Sequence, residues 1–214
     1  MESELGTRGI EGAAFARTLE TLKRRGSNIL LVGGTGGCHD AACHRLCGRR
    51  GSEPRYQLVV ADGEKRRLTG SVVSRRLENG TMTLEFSTGT GRRSSLEPLA
   101  HEVVTAIDEF EAVADGFSPS ELRVCLDSLG GLLEAYDAEQ VFHFLRTITS
   151  RIDDARGMGH YHLPRDHGHD TLSLLEPLFD AVVVLRVRDG SYEQQWHLRD
   201  GTPGARTKTD WIRL

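Results

Sequence analysis

The stretch that decides the fold is Asn28-Ile29-Leu30-Leu31-Val32-Gly33-Gly34-Thr35-Gly36-Gly37-Cys38-His39-Asp40. A continuous apolar run is the mark of a strand buried on both faces, as in a parallel sheet. The glycines then turn the chain tightly, and a helix is expected from about Asp40 to Leu46, closed by Gly48. Strand, glycine loop and helix in that order make a phosphate cradle, in which backbone N–H groups and the helix N-terminus supply positive potential.

The chemistry of such a loop depends on its side chains. In the pattern G-x-x-x-x-G-K-[ST] the lysine reaches the β/γ-phosphates and the hydroxyl binds Mg²⁺. Laid from Gly33, this sequence has Cys38 at the second glycine, His39 at the lysine and Asp40 at the hydroxyl. An imidazole is shorter and mostly neutral at pH 7. Asp40 adds negative charge beside a triphosphate and reads more simply as a helix N-cap. The loop shape is kept and its catalytic chemistry is lost. If nucleotide binding is retained, its candidates are Gly33, Gly34, Thr35, Gly36, Gly37, Cys38, His39, Asp40 and Asp127, with Arg45 as a replacement cation. A dinucleotide reading rests on Gly34-Thr35-Gly36 and on Asp62 as a ribose contact, but His39 stands at its third glycine.

Outward from the loop, helices alternate with apolar strands, which argues for a mostly parallel sheet with crossover helices. Residues 13–25 read as a short amphipathic helix carrying Phe15, Leu19 and Leu22. Gln57–Ala61 and Leu122–Leu126 read as strands, and Leu68–Phe86 as a hairpin turning at Glu78-Asn79-Gly80. Leu96–Val113 and Ala138–Arg151 are helices by their apolar periodicity, the second capped by Asp137. A weak strand is expected at His160–Leu163 and a short helix at Leu172–Phe179, interrupted by Pro177. Ala181–Val187 is strongly apolar, and Arg188-Asp189-Gly190-Ser191 turns it back into Tyr192–Leu198 as a C-terminal antiparallel hairpin. Residues 199–209 read as an exposed loop, and Trp211–Leu214 as a last edge strand. The division expected is a helical segment over 1–26, an α/β domain over 27–198 and a tail over 199–214 packed on or near the sheet.

Leu122-Arg123-Val124-Cys125-Leu126-Asp127-Ser128-Leu129, the later helix Val141-Phe142-His143-Phe144-Leu145-Arg146-Thr147-Ile148, and Leu175–Arg186 resemble the second half of RecA/KaiC-type ATPases. Together with Gly33–Asp40 they are similar to a family of short, uncharacterised RecA/KaiC-like proteins in halophilic archaea. The resemblance spans roughly residues 20–198. It implies a RecA-like sheet, Gly33–Asp40 at the Walker A position and Asp127 at the Walker B position. It also implies self-association beside the loop. No catalytic glutamate is placed by a motif; Glu64 and Glu85 are its candidates.

Two groups of side chains suggest metal. The first is Cys38, Cys43 and Cys47, with His39 and His44 nearby. Cys43 and Cys47 are four apart and share a helix face, but the spacing is not the paired C-x₂₋₄-C of a zinc site. The second is His160, His162, His167 and His169; the first two lie on one face of a strand. Whether the groups converge is not written in the sequence. The ordinary account is small core side chains in one case and a polar loop in the other.

The leading expectation is a non-catalytic RecA/KaiC-like domain with a regulatory or protein-interaction role and no cofactor. The alternatives are an ATPase with an atypical loop, binding ATP and Mg²⁺, and a metal-binding sensor. Net charge is −4, so the charge does not support a nucleic-acid partner. The only lysines are Lys23, Lys65 and Lys208. No apolar run is long enough to span a bilayer, and Met1–Gly12 lacks the features of a signal peptide, so a cytoplasmic location with reduced thiols is expected.

Overall fold

The computed structural model describes residues 15–34, 37–48, 55–63, 74–78, 81–86, 95–127, 129–164, 168–199 and 206–214. Along the chain come helix α1 (15–25), β1 (Ser27–Gly33), α2 (Gly37–Cys47), β2 (Tyr56–Asp62), β3 (Ser74–Glu78), β4 (Thr81–Phe86) and α3 (Glu97–Ala114). They continue with β5 (Leu122–Leu126), α4 (Leu129–Ala135), α5 (Ala138–Asp154), β6 (Met158–Leu163), α6 (Gly168–Leu175), a 3₁₀ turn (Glu176–Leu178), β7 (Ala181–Arg188), β8 (Ser191–Arg199), β9 (Arg206–Lys208) and β10 (Ile212–Arg213).

One sheet runs through the molecule in the order β10-β8-β7-β1-β6-β5-β2-β4-β3, with β9 also on β8. The six strands from β7 to β4 are parallel to their neighbours. The hairpin β7–β8 adds the antiparallel C-terminal side, and β3 closes the other side antiparallel to β4. The protein is therefore mixed α/β, with a mostly parallel sheet flanked by helices.

Alternation along the strands sends side chains to two layers. Leu30, Leu58, Val60, Val124, Leu126, Tyr161 and Leu163 meet α3, α4 and α5 on one face. Ile29, Leu31, Met158, Val183, Leu185 and Trp196 meet α1 and α2 on the other. Phe15 of α1 packs edge-on to Trp196, which ties the N-terminal helix to the same core as the hairpin.

Several expectations are corrected. Helix α2 begins at Gly37, so Asp40 lies in its first turn and is not its cap. Residues 199–209 are not wholly loop, because β9 pairs with β8. Helix α4 was not foreseen, since Gly130 and Gly131 argue against helix. Helix α6 starts at Gly168, which puts His169 on a helix rather than in a loop. The hairpin turn at residues 79–80 and the upstream residues Val72 and Val73 lie outside the described residues. Its strands β3 and β4 pair antiparallel, as a hairpin requires, with Glu78 opposite Thr81.

At the N-terminal end of β1, Asn28 donates through Nδ2 to Asp153 Oδ1 at 2.8 Å, and Tyr161 donates to Asn28 Oδ1 at 2.7 Å. Burial, then the nearby Asp180 carboxylate, pushes Asp153 up to about 6. A raised carboxyl favours the protonated fold, so this contribution is present below the ordinary aspartate pKa and is lost as pH rises through about 6. Asp153→Asn should therefore match the parent near pH 4 and melt above it at pH 7. Thermal melts of both proteins across that range check this; a constant difference would refute it.

Candidate metal centre

Cys125 and His160 are direct partners across β5 and β6. His162 lies two residues on from His160, on the same face. Helix α2 crosses above β5, β6 and β7, and turns Cys43 and Cys47 down towards them. The two groups that stand apart in the sequence meet here. One donor atom from each of Cys43, Cys125, His160 and His162 lies within 4.8 Å of the others.

The individual distances suit a single ion. Tetrahedral zinc, with bonds of about 2.3 Å to sulfur and 2.0–2.1 Å to nitrogen, sets donors about 3.8 Å apart for two sulfurs and about 3.5 Å for sulfur and nitrogen. Cys43 Sγ is 3.7 Å from Cys125 Sγ and 3.4 Å from His160 Nε2. Cys47 Sγ stands beside the group, 3.8 Å from Cys43 Sγ and 3.8 Å from His160 Nε2. All four cysteines are free thiols.

Burial makes the arrangement informative. His160 and His162 are each 2% exposed, and Cys125 is 3% exposed. His162 Nε2 is buried without a hydrogen-bond partner. A buried polar atom left unsatisfied costs about 1–3 kcal/mol, so this nitrogen calls for a ligand. Hydrogen bonds from the thiols of Cys125 and then Cys47 drive Cys43 well below the ordinary cysteine range, against its burial. The same contact with Cys43, then burial, drives Cys47 and Cys125 up. Burial lowers His160 and so holds it neutral, the form that binds metal. A divalent ion displaces the remaining thiol proton on binding, and two thiolates and two neutral imidazoles around it then carry no net charge, which suits a buried place. Cys47 is the spare donor of the five.

The glycine loop lies at the edge of this cluster. Gly33 and Gly34 have φ of 70° and 60°, the left-handed region that favours glycine. His39 turns inward, with Nε2 2.7 Å from the Gly33 carbonyl oxygen and Nδ1 3.0 Å from His162 Nδ1. Cys38 is fully buried in the apolar layer with Ala42 and Leu185, and is not one of the cluster. Asp40 is exposed, and Gly37 lies against Tyr192, where an added Cβ would clash. Arg45 reaches the Arg213 carbonyl at 3.5 Å. Asp127, exposed at the end of β5, is near enough to His39 and Cys125 to act on both electrostatically. Thr35, Gly36, Glu64 and His167 lie outside the described residues, and of His169 only the helical backbone is described. Asp62 ends β2, which β6 and β5 separate from β1, so it does not flank the loop as a ribose contact must.

Residues 26–185 match the model of DUF7504, a family of unknown function. The chain belongs to the DUF7504 family. The DUF7504 match contains every donor of the cluster, together with His39 and Asp127, and ends within β7. No protein of curated function matches the chain.

Cys125 is the donor that sequence reasoning missed. Alone in an apolar strand it reads as a small core residue. The signal that could have found it is its place on the α2 face, opposite His160, once β5 and β6 are known to be neighbours.

Proposed function

We propose that this protein is a non-catalytic, metal-binding α/β domain with a regulatory role, in which Cys43, Cys125, His160 and His162 hold one zinc-type ion beneath a degenerate glycine loop. The observation that carries the reading is the mutual approach of these four donors within 4.8 Å. The unsatisfied His162 Nε2 supports it. Sulfur and imidazole donors select zinc over the oxygen-seeking cations. With four protein donors no position is left for substrate or activated water, so the centre is of the closed, structural kind.

The RecA/KaiC resemblance fits the same reading. One strand, β6, stands between the glycine-loop strand β1 and the Asp127 strand β5, and two helices follow β5 before it. At the lysine position His39 faces the interior, and Asp40 puts a negative charge in the first turn of α2. Both features oppose triphosphate binding. No described helix is long and apolar enough to cross a membrane.

The test is elemental analysis of the full chain purified under reducing conditions, with a cobalt(II) titration after metal removal. One equivalent of zinc, and thiolate-to-cobalt absorption saturating at one equivalent, are expected. A protein that takes up neither metal refutes the reading. Titration with ATP and Mg²⁺ should give no saturable binding; saturable binding would restore the nucleotide function.

A further inference from the structure

His39 belongs to neither the donors nor the surface. It is 7% exposed and makes two directed contacts through one ring. The Gly33 carbonyl can only accept, so His39 Nε2 carries a proton and donates at 2.7 Å. The ring is buried, and a neutral imidazole carries one proton, which Nε2 holds here. Its Nδ1 is then an acceptor, and the atom facing it at 3.0 Å is His162 Nδ1. That nitrogen must carry the proton of the His162 ring. His162 Nε2 is left with a bare lone pair, and it is the ring atom that is buried without a partner. The direction of the whole chain, from His162 Nδ1–H to His39 and from His39 Nε2–H to Gly33, follows from a single carbonyl oxygen.

We propose that His39 is a positioning residue that couples the metal centre to the glycine loop: it holds His162 in the tautomer whose Nε2 binds metal, and the same ring pins the Gly33 carbonyl. This rests on the metal reading above. Partners of this kind on a ligating histidine fix its ring and raise its basicity, and their loss weakens metal binding about 10–100-fold. The second contact adds a consequence. An ion on His162 polarises its Nδ1–H, strengthens the bond to His39 and so steadies the loop backbone at Gly33. Coupling between two sites is reciprocal, so a partner that draws the loop away from His39 weakens the hold on the ion.

The experiment compares the unmodified full chain with His39→Leu and His39→Gln in cobalt(II) titrations. An amide offers one acceptor and one donor, so glutamine can replace both contacts and leucine neither. The expected result is one equivalent in all three, a dissociation constant raised about 10–100-fold by leucine and largely restored by glutamine. Hydrogen exchange provides a second readout. Cobalt should slow the amides of residues 33–34 and 37–40 in the unmodified chain and not in His39→Leu. Unmodified cobalt affinity in the leucine variant overturns the positioning role. Unchanged loop exchange on metal addition to the unmodified chain overturns the coupling, even where the leucine variant does not fold. A parent chain that binds no cobalt overturns the metal reading itself, which the titration of the parent separates from the other outcomes.

Discussion

Cys43→Ser is expected to lose the stoichiometric metal ion and to lower the unfolding midpoint of the metal-loaded protein by about 8–16 °C. Cys43 is the hub of the cluster, with Cys125, Cys47 and His160 all within 3.8 Å of its sulfur. A hydroxyl cannot replace a thiolate donor to a soft ion. A ligand that binds only the native state stabilises it by about 4 kcal/mol when its free concentration is 1,000 times its dissociation constant. For a chain of this size each kcal/mol moves the midpoint by about 2–4 °C, which gives the range. A strong chelator should do to the parent what serine does, and should leave the variant unchanged. Cys47→Ser is the contrast. Cys47 is the fifth donor, and its variant should keep one equivalent of metal. Elemental analysis and thermal melts with and without chelator check both. Cys43→Ser retaining a full equivalent would show that the ion sits elsewhere.

The second large effect belongs to the opposite layer. Phe179→Ala should cost about 3–5 kcal/mol, the range for truncating a fully buried phenylalanine. Phe179 has no exposed surface, and its ring centre is 5.0 Å from that of Tyr161. Tyr161 lies between His160 and His162 in β6 and so points to the other side of the sheet. The void opens away from the metal donors. The midpoint should fall by about 6–20 °C, while the folded protein still takes up one equivalent of cobalt. Urea unfolding followed by fluorescence, with cobalt titration at low temperature, separates stability from binding. Loss of binding in the folded variant would mean that the two layers are not independent.

These two sites also show what the sequence reveals and what it hides. The apolar runs of β1, β5 and β7 announce parallel strands, and the periodicity of α3 and α5 announces their packed faces. Strand β6 announces itself only weakly, at His160–Leu163, and its burial not at all. Met158-Gly159-His160-Tyr161-His162-Leu163 reads as polar, yet all six residues are buried in the middle of the sheet. Its imidazoles find their partners in α2, 113 or more residues earlier, and no local pattern encodes that. The cysteines of α2 were legible as a pair because four residues return to the same helix face. Cys38 shares the composition but not the face, and it serves the apolar layer. Helix α4 was hidden by its glycines, and β9 by its shortness and its turn-rich surroundings.

The strand order carries a consequence for biosynthesis. Among the described residues β1 is the first strand, and its neighbours in the sheet are β6 and β7. Both are made more than 120 residues later. Until β6 is made, β1 has no strand to pair with, and the cysteine helix behind it has only part of its sheet surface. Cys43 and Cys47 therefore stand without their histidine neighbours until β6 has been made. The four donors can meet only once β6 has been made and paired beside β1 and β5.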